Sequence, residues 1–196
     1  MTIKRWLCVL ALLLLGACGG TVEYRWKEEV LLHDGSSIWV DRHIEAHASG
    51  FPNSHEGSTI MEEFRYPPLG VEWKAVWSAA RPVEHPVAFD VIGKSAFLIV
   101  TTGNRRMVCT PETPSGTYTA NYYVWNGGKI KKVAQNQVPL ENMRFNVGGN
   151  YRNQPGLPSQ TRISWAQKVT QAGENFTNLQ SIEAYFSRRD LALRCP

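Results

Sequence analysis

Two imidazoles and a carboxylate recur at every second residue in His43-Ile44-Glu45-Ala46-His47. In an extended strand alternate side chains share a face, so His43, Glu45 and His47 would point the same way. Neutral imidazole nitrogen and carboxylate oxygen both ligate divalent transition metals. His33, Asp41 and His55 lie near enough in sequence to add to such a site, and a metal carrier or a metal-dependent hydrolase would use them. The spacing differs from the helical zinc-protease motif, in which the glutamate directly follows the first histidine. A solvated strand end entering a polar loop calls for the same residue types, and that is the plainer reading of this segment.

Other chemistries have less to stand on. No Gly-x-Ser-x-Gly nucleophile elbow occurs. No glycine-rich phosphate loop follows a strand and opens a helix, so no nucleotide or other cofactor is expected. The whole chain carries 21 Lys+Arg against 17 Asp+Glu, a formal +4. Its basic residues form pairs, Lys131-Lys132 and Arg188-Arg189, rather than a stripe interleaved with aromatics. That composition gives no ground for nucleic-acid binding.

The first residues carry an address. Lys4 and Arg5 precede an unbroken apolar run from Trp6 to Leu15. The run falls short of the roughly 20 apolar residues that span a bilayer core, and it lacks the polar face of a core helix. It fits the apolar region of an export signal. Leu15-Gly16-Ala17-Cys18 follows at once. These residues resemble the lipobox of bacterial lipoproteins, a resemblance confined to residues 1–18. It implies a signal peptide over 1–17, diacylglyceryl transfer to Cys18, and a membrane held through lipid on the new N-terminus. Gly19, where an aspartate would retain the protein at the inner membrane, implies the outer membrane of a two-membrane envelope. Residues 18–23 then form a short lipidated tether, and 24–196 a single domain facing the periplasm.

Of the 4 cysteines, Cys8 leaves with the signal and Cys18 carries lipid. Cys109 and Cys195 remain for an oxidising compartment, which favours a disulfide between them over two buried thiols. Closing so long a loop stabilises by about 4 kcal/mol in the chain-entropy picture. Neither cysteine has a partner at zinc-finger spacing. Asn175-Phe176-Thr177 matches a glycosylation acceptor, which has no meaning in a bacterial lipoprotein.

The elements that would position these residues read mostly as β. Turn signals at Asp34-Gly35, Gly93-Lys94 and Asn126-Gly127-Gly128 each sit between apolar or alternating runs and predict three hairpins. Val71 to Trp77 alternates as a further strand, and Arg162 to Trp165 is a weaker one. Phe97 to Val100 is continuously apolar, as in a strand covered on both faces. Ala46–Ser58, Pro111–Gly116 and Val147–Pro158 read as loops. Phe176, Leu179, Ile182 and Phe186 recur at helical spacing and predict a short C-terminal helix, although Ile182, Ala184 and Phe186 also alternate as a strand would. The expected fold is an antiparallel β-sandwich or open barrel with that one helix.

Trp26, Trp39, Trp73, Trp77, Trp125 and Trp165, with Tyr118, Tyr122, Tyr123 and Tyr151, are an aromatic surplus. Most are expected in the β core. Tyr122 and Tyr123, on opposite faces of one strand, should leave at least one ring outward. Exposed rings of this kind bind protein or glycan partners. The expected role is a lipid-anchored, non-enzymatic envelope module contacting a protein or glycan partner. A metal-binding protein or metal-dependent hydrolase built on His43, Glu45 and His47 is the alternative.

Overall fold

Tight turns set the strand order. Gly93 opens a two-residue turn at φ 61°, and Gly127 and Gly128 turn the chain at φ 62° and 78°. Both residues of a type I′ hairpin turn need positive φ, which glycine adopts without a Cβ clash. A computed structural model describes residues 20–47, 59–78, 84–102, 120–148 and 162–172. The strands are β1 (Thr21–Leu31), β2 (Ser37–His47), β3 (Thr59–Tyr66), β4 (Val71–Val76) and β5 (Glu84–Ile92). They continue with β6 (Ser95–Thr102), β7 (Ala120–Asn126), β8 (Lys129–Val133) and the two-residue β9 (Arg162–Ile163). An α-helix, α1 (Trp165–Ala172), follows.

The strands form two sheets, ordered β4-β3-β2-β1-β9 and β5-β6-β7-β8. All pairings are antiparallel except β1 with β9. The sheets face each other across one apolar core, so the sandwich holds and the barrel does not form. Val30, Val40, Phe64, Val71 and Trp73 from the first sheet meet Phe89, Leu98, Val100 and Trp125 from the second. Phe64 and Phe89 bring their ring centres to 4.8 Å across the interface, and Tyr66 meets Phe89 edge-on at 5.7 Å. The outer face of the second sheet is covered too, by Val138, Leu140 and Met143 packed on Val87, Ile99 and Tyr122. Asn146 closes the β5 edge in the manner of a strand. Its amide donates to the carbonyls of Leu31 and Phe89 and accepts from Phe89 N–H. Among the described residues no helix is long and apolar enough to cross a membrane.

Several sequence expectations are corrected here. The three hairpins form, with longer strands than their apolar runs indicated. β1 begins at Thr21, so Thr21–Glu23 belong to the sheet and not to a tether ending at residue 23. Tyr122 is buried under the 138–143 segment and Tyr123 packs into the main core, because both faces of their sheet are covered. β3 had no clear alternation, since Glu62 and Glu63 both occupy buried positions. The helix lies at 165–172, where a strand end was expected. Ser164 accepts from Gln167 N–H while the Gln167 side chain accepts from Ser164 N–H, a capping box. The expected helix at 176–186 and the Cys109–Cys195 bridge lie outside the described residues.

Strand parity also carries charge inward. Trp26, Glu28 and Val30 share one face of β1, as do Arg42 on β2 and Glu62 on β3 with their apolar neighbours. Glu28 and Lys168 are 0% exposed, Glu62 1% and Arg42 3%. Arg42 Nη1 donates to Glu28 (2.7 Å) and Nη2 to Glu62, while Lys168 Nζ reaches Glu28 from α1 at 2.9 Å and the Asn146 carbonyl at 2.6 Å. The Gly148 N–H donates to the same Glu28 carboxylate. His85 Nδ1 lies 2.6 Å from Glu62 and carries the chain of contacts toward solvent. Burial works against the Glu62 anion, but His85 and Arg42 outweigh it and hold its carboxyl below the usual range. Burial likewise pushes the Lys168 ammonium down, with Glu28 opposing.

Removing one member of such a network strands a buried charge. Arg42→Met is expected to lose about 3–5 kcal/mol in urea unfolding. Arg42→Met with Glu62→Leu leaves the Lys168–Glu28 pair matched and should recover much of that loss. A double variant no more stable than the single one would refute the pairing.

A second tie joins the sheets. Asp90 on β5 accepts from the His33 backbone N–H (3.2 Å), and its other oxygen lies 2.9 Å from His33 Nδ1. The hydrogen bond to Asp90 raises the His33 pKa above its ordinary 6.5. A raised imidazole pKa contributes stability that is complete below pH 6.5 and fades as pH climbs through the folded value. The unfolding midpoint is therefore expected to fall across that interval, and His33→Gln to flatten the fall. An unchanged slope in the variant would place the titration elsewhere.

Candidate functional site

The same alternation that buries Glu28 and Arg42 sends the odd-numbered residues of β1 and β2 outward. Arg25 and Lys27 stand opposite His43 and Asp41. β3 adds Glu63 and Arg65, and β9 sets Arg162 beside Lys27. Together these side chains line a cleft of 410 Å³ on the outer face of the five-stranded sheet. Trp39 stands at the same face, 37% exposed, with the Arg162 guanidinium 5.2 Å from its ring centre.

The cleft holds more cations than carboxylates, and most of its ions are paired at the surface. Lys27 Nζ meets Asp41 at 2.6 Å with both side chains over a third exposed, and Arg65 meets Glu63 at 3.0 Å. A half-exposed pair such as Lys27–Asp41 contributes about 0–1 kcal/mol, whereas the Glu63 side chain is only 10% exposed. An incoming anion can therefore redirect Lys27 at little cost.

His43 sits deeper than its neighbours, with 9% of its side chain exposed. Its Nδ1 lies 3.2 Å from Glu63 Oε2, and Lys74 and Arg65 hold Glu63 in turn at 2.9 and 3.0 Å. Burial works to raise the Glu63 pKa, but the hydrogen bonds from Lys74 and His43 outweigh it and keep the carboxyl below the usual range. An ionised carboxylate only accepts, so the ring proton of neutral His43 belongs on Nδ1. His43 Nε2 then faces outward, 3.5 Å from Glu23 and 4.0 Å from Glu45.

The structure brings together two of the three ligands read from the sequence. His43 and Glu45 share the outer face, joined by Glu23 from β1, with the three ligand atoms within 4.8 Å of one another. His47 is on the same face but one pair farther along, opposite Thr21, and stands outside this group. Asp41 is taken by Lys27 and His33 by Asp90. His55, like Cys18, Cys109 and Cys195, lies outside the described residues. Glu23 was missed because its partners come from cross-strand register. The one available signal was the first hairpin turn, which fixes Glu23 opposite Glu45 once both strands are drawn at full length.

No protein-family model matches the chain, no curated protein matches it, and no solved structure matches it.

The ring orientation is measurable. In chelator-treated protein, above the ordinary imidazole range, imidazole ¹⁵N NMR is expected to find the His43 proton on Nδ1, with Glu63→Gln weakening that preference. A proton on Nε2 in the wild-type protein would mean that Glu63 does not orient the ring.

Proposed function

We propose that this protein is a non-enzymatic binding module of the cell envelope, lipid-anchored at Cys18, whose outer-face cleft receives an anionic group of a protein or glycan partner. The observation that carries this reading is the cleft itself. Arg25, Lys27, Arg65 and Arg162 converge there against Asp41 and Glu63, beside a partly exposed tryptophan. Guanidinium groups bind carboxylate and phosphate in two-pronged fashion, and a Trp face suits a sugar ring or an aliphatic side chain. The scaffold supports recognition without large rearrangement, because each of these side chains stands on a strand and not on a loop.

The anchor supports it in a second way. Thr21 begins β1 only three residues after Cys18. Such a link spans at most about 10 Å. A lipidated Cys18 would hold the sheet close to the bilayer and confine the search for a partner to one surface, which raises the effective concentration. Glycine at position 19 fits the outer membrane, with the domain facing the periplasm.

The test combines fractionation with crosslinking in cells. A photocrosslinking side chain placed at Trp39 is expected to capture a partner. The same group placed at Ile130, on the far edge of the other sheet, should not. Lys27→Glu with Arg162→Glu should cut the capture at least tenfold, and Cys18→Ala should abolish processing and release the domain from membranes. Capture at both positions alike, or none at Trp39, would overturn the assignment of the cleft. Normal processing and membrane retention of Cys18→Ala would overturn the anchor.

A further inference from the structure

We infer that Glu23, His43 and Glu45 form a binding site for a divalent transition metal, with Glu63 as the group that orients the histidine. The site shares His43 and Glu63 with the cleft lining, while Glu23 and Glu45 lie outside it, and the inference does not depend on what fills the cleft.

Three electron-pair donors from two neighbouring strands point at one spot. Their ligand atoms lie within 4.8 Å of one another. His43 Nε2 is 3.5 Å from Glu23 Oε2 and 4.0 Å from Glu45 Oε1. Tetrahedral ligands at about 2.0–2.1 Å from zinc stand roughly 3.3 Å apart, so a small side-chain rotation closes the set around one ion.

The second observation is the state of the histidine. His43 is 93% buried by the 7% exposure of the whole residue, and its Nε2 has no hydrogen-bond partner. A buried imidazole nitrogen left unsatisfied is costly. Here it is also aimed at two carboxylates, where a lone pair meets negative charge. A cation seated between the three atoms resolves both problems together.

The surroundings match how proteins hold metal-binding imidazoles. Ligating histidines donate their other ring N–H to a carboxylate, which fixes tautomer and orientation. Glu63 stands in that place at 3.2 Å from Nδ1, itself anchored by Lys74 and Arg65. One imidazole and two carboxylates suit zinc, manganese or ferrous iron, and the exposure of Glu23 and Glu45 leaves room for water on the remaining positions. Arg25 competes for Glu23, donating from Nε and Nη2 at 3.2 and 3.0 Å. An exposed pair of this kind yields readily to a metal. The rival is a second proton on His43, which would let Nε2 donate to Glu23 without any metal.

Calorimetric titration of the full, chelator-treated chain with zinc chloride, repeated with manganese, separates the two. One ion per chain is expected, with zinc-edge X-ray absorption showing a single imidazole among oxygen ligands. His43→Ala, Glu23→Gln and Glu45→Gln should each weaken binding at least tenfold, and Glu63→Gln by about tenfold through loss of orientation. His47→Ala should leave affinity within twofold. Because His43 is buried, the two glutamine variants at exposed or half-exposed positions decide the matter if His43→Ala fails to fold. Absence of stoichiometric binding of either metal to the wild-type chain would overturn the site. So would binding that survives Glu23→Gln with Glu45→Gln, or that disappears in His47→Ala.

Discussion

Inside the sandwich, Glu28, Arg42, Glu62 and Lys168 have to neutralise one another, because solvent does not reach them. Two carboxylates and two cations alternate through the interior, and Arg42 also lies 5.3 Å and 5.9 Å from the Trp26 and Phe64 ring centres. Each charge fixes a different piece of chain. Glu28 belongs to β1, Arg42 to β2, Glu62 to β3, and Lys168 to α1, while the Gly148 N–H and the Asn146 carbonyl tie in the segment that covers β5. An apolar contact tolerates sliding. A buried ion pair does not, since any shift leaves a charge without its counterion. The network therefore fixes strand register as well as charge balance.

That constraint reaches the outer surface. With Glu28 and Arg42 held inward, residues one position away are committed to the opposite face. Arg25, Lys27, Asp41, His43 and Glu45 stand outward for that reason alone. A register slip of one residue would bury the cleft cations and expose the network. The helix participates at both ends of this arrangement. The Trp165 N–H donates to Glu29 on β1, and that hydrogen bond, with the one from Ser37, holds the Glu29 carboxyl below its usual range. Lys168, one turn later, passes back into the core. The two-residue β9 thus supplies one side of the cleft through Arg162, and the helix behind it ties β1 to the core.

The outer face divides into two chemistries along the strands. Lys27, Arg162 and Trp39 gather toward the β9 side, and Glu23 and Glu45 with His43 gather toward the end where β1 starts. On the reading that Cys18 carries lipid, the acidic end lies nearer the bilayer and the cationic cleft farther along the sheet. A partner with an anionic group and a metal ion would then engage different parts of one rigid surface, coupled through Glu63, which both lines the cleft and holds His43.

Composition and local pattern by themselves determined the β class, the hairpin turns and the shared face of His43 and Glu45, because these depend on neighbours in the chain. Period-two alternation fixes which face a residue occupies, and glycine with positive φ fixes where a strand can reverse. The lipobox-like leader is equally local. The sequence also held a legible capping box, Ser164-Trp165-Ala166-Gln167, overshadowed by the β-like Arg162-Ile163 before it. Only the tertiary structure decided which face turned inward and who met whom. β3 carries two adjacent glutamates, and nothing nearby announces that Glu62 will find Arg42 and His85 while Glu63 finds His43 and Lys74. His47 shares a face with His43, yet Glu23 is the residue that joins it, because register sets distance across a sheet where sequence spacing sets it only along a strand. Burying a charge is favourable only when its counterion arrives from elsewhere in the fold, and that arrival is a property of the assembled sheets.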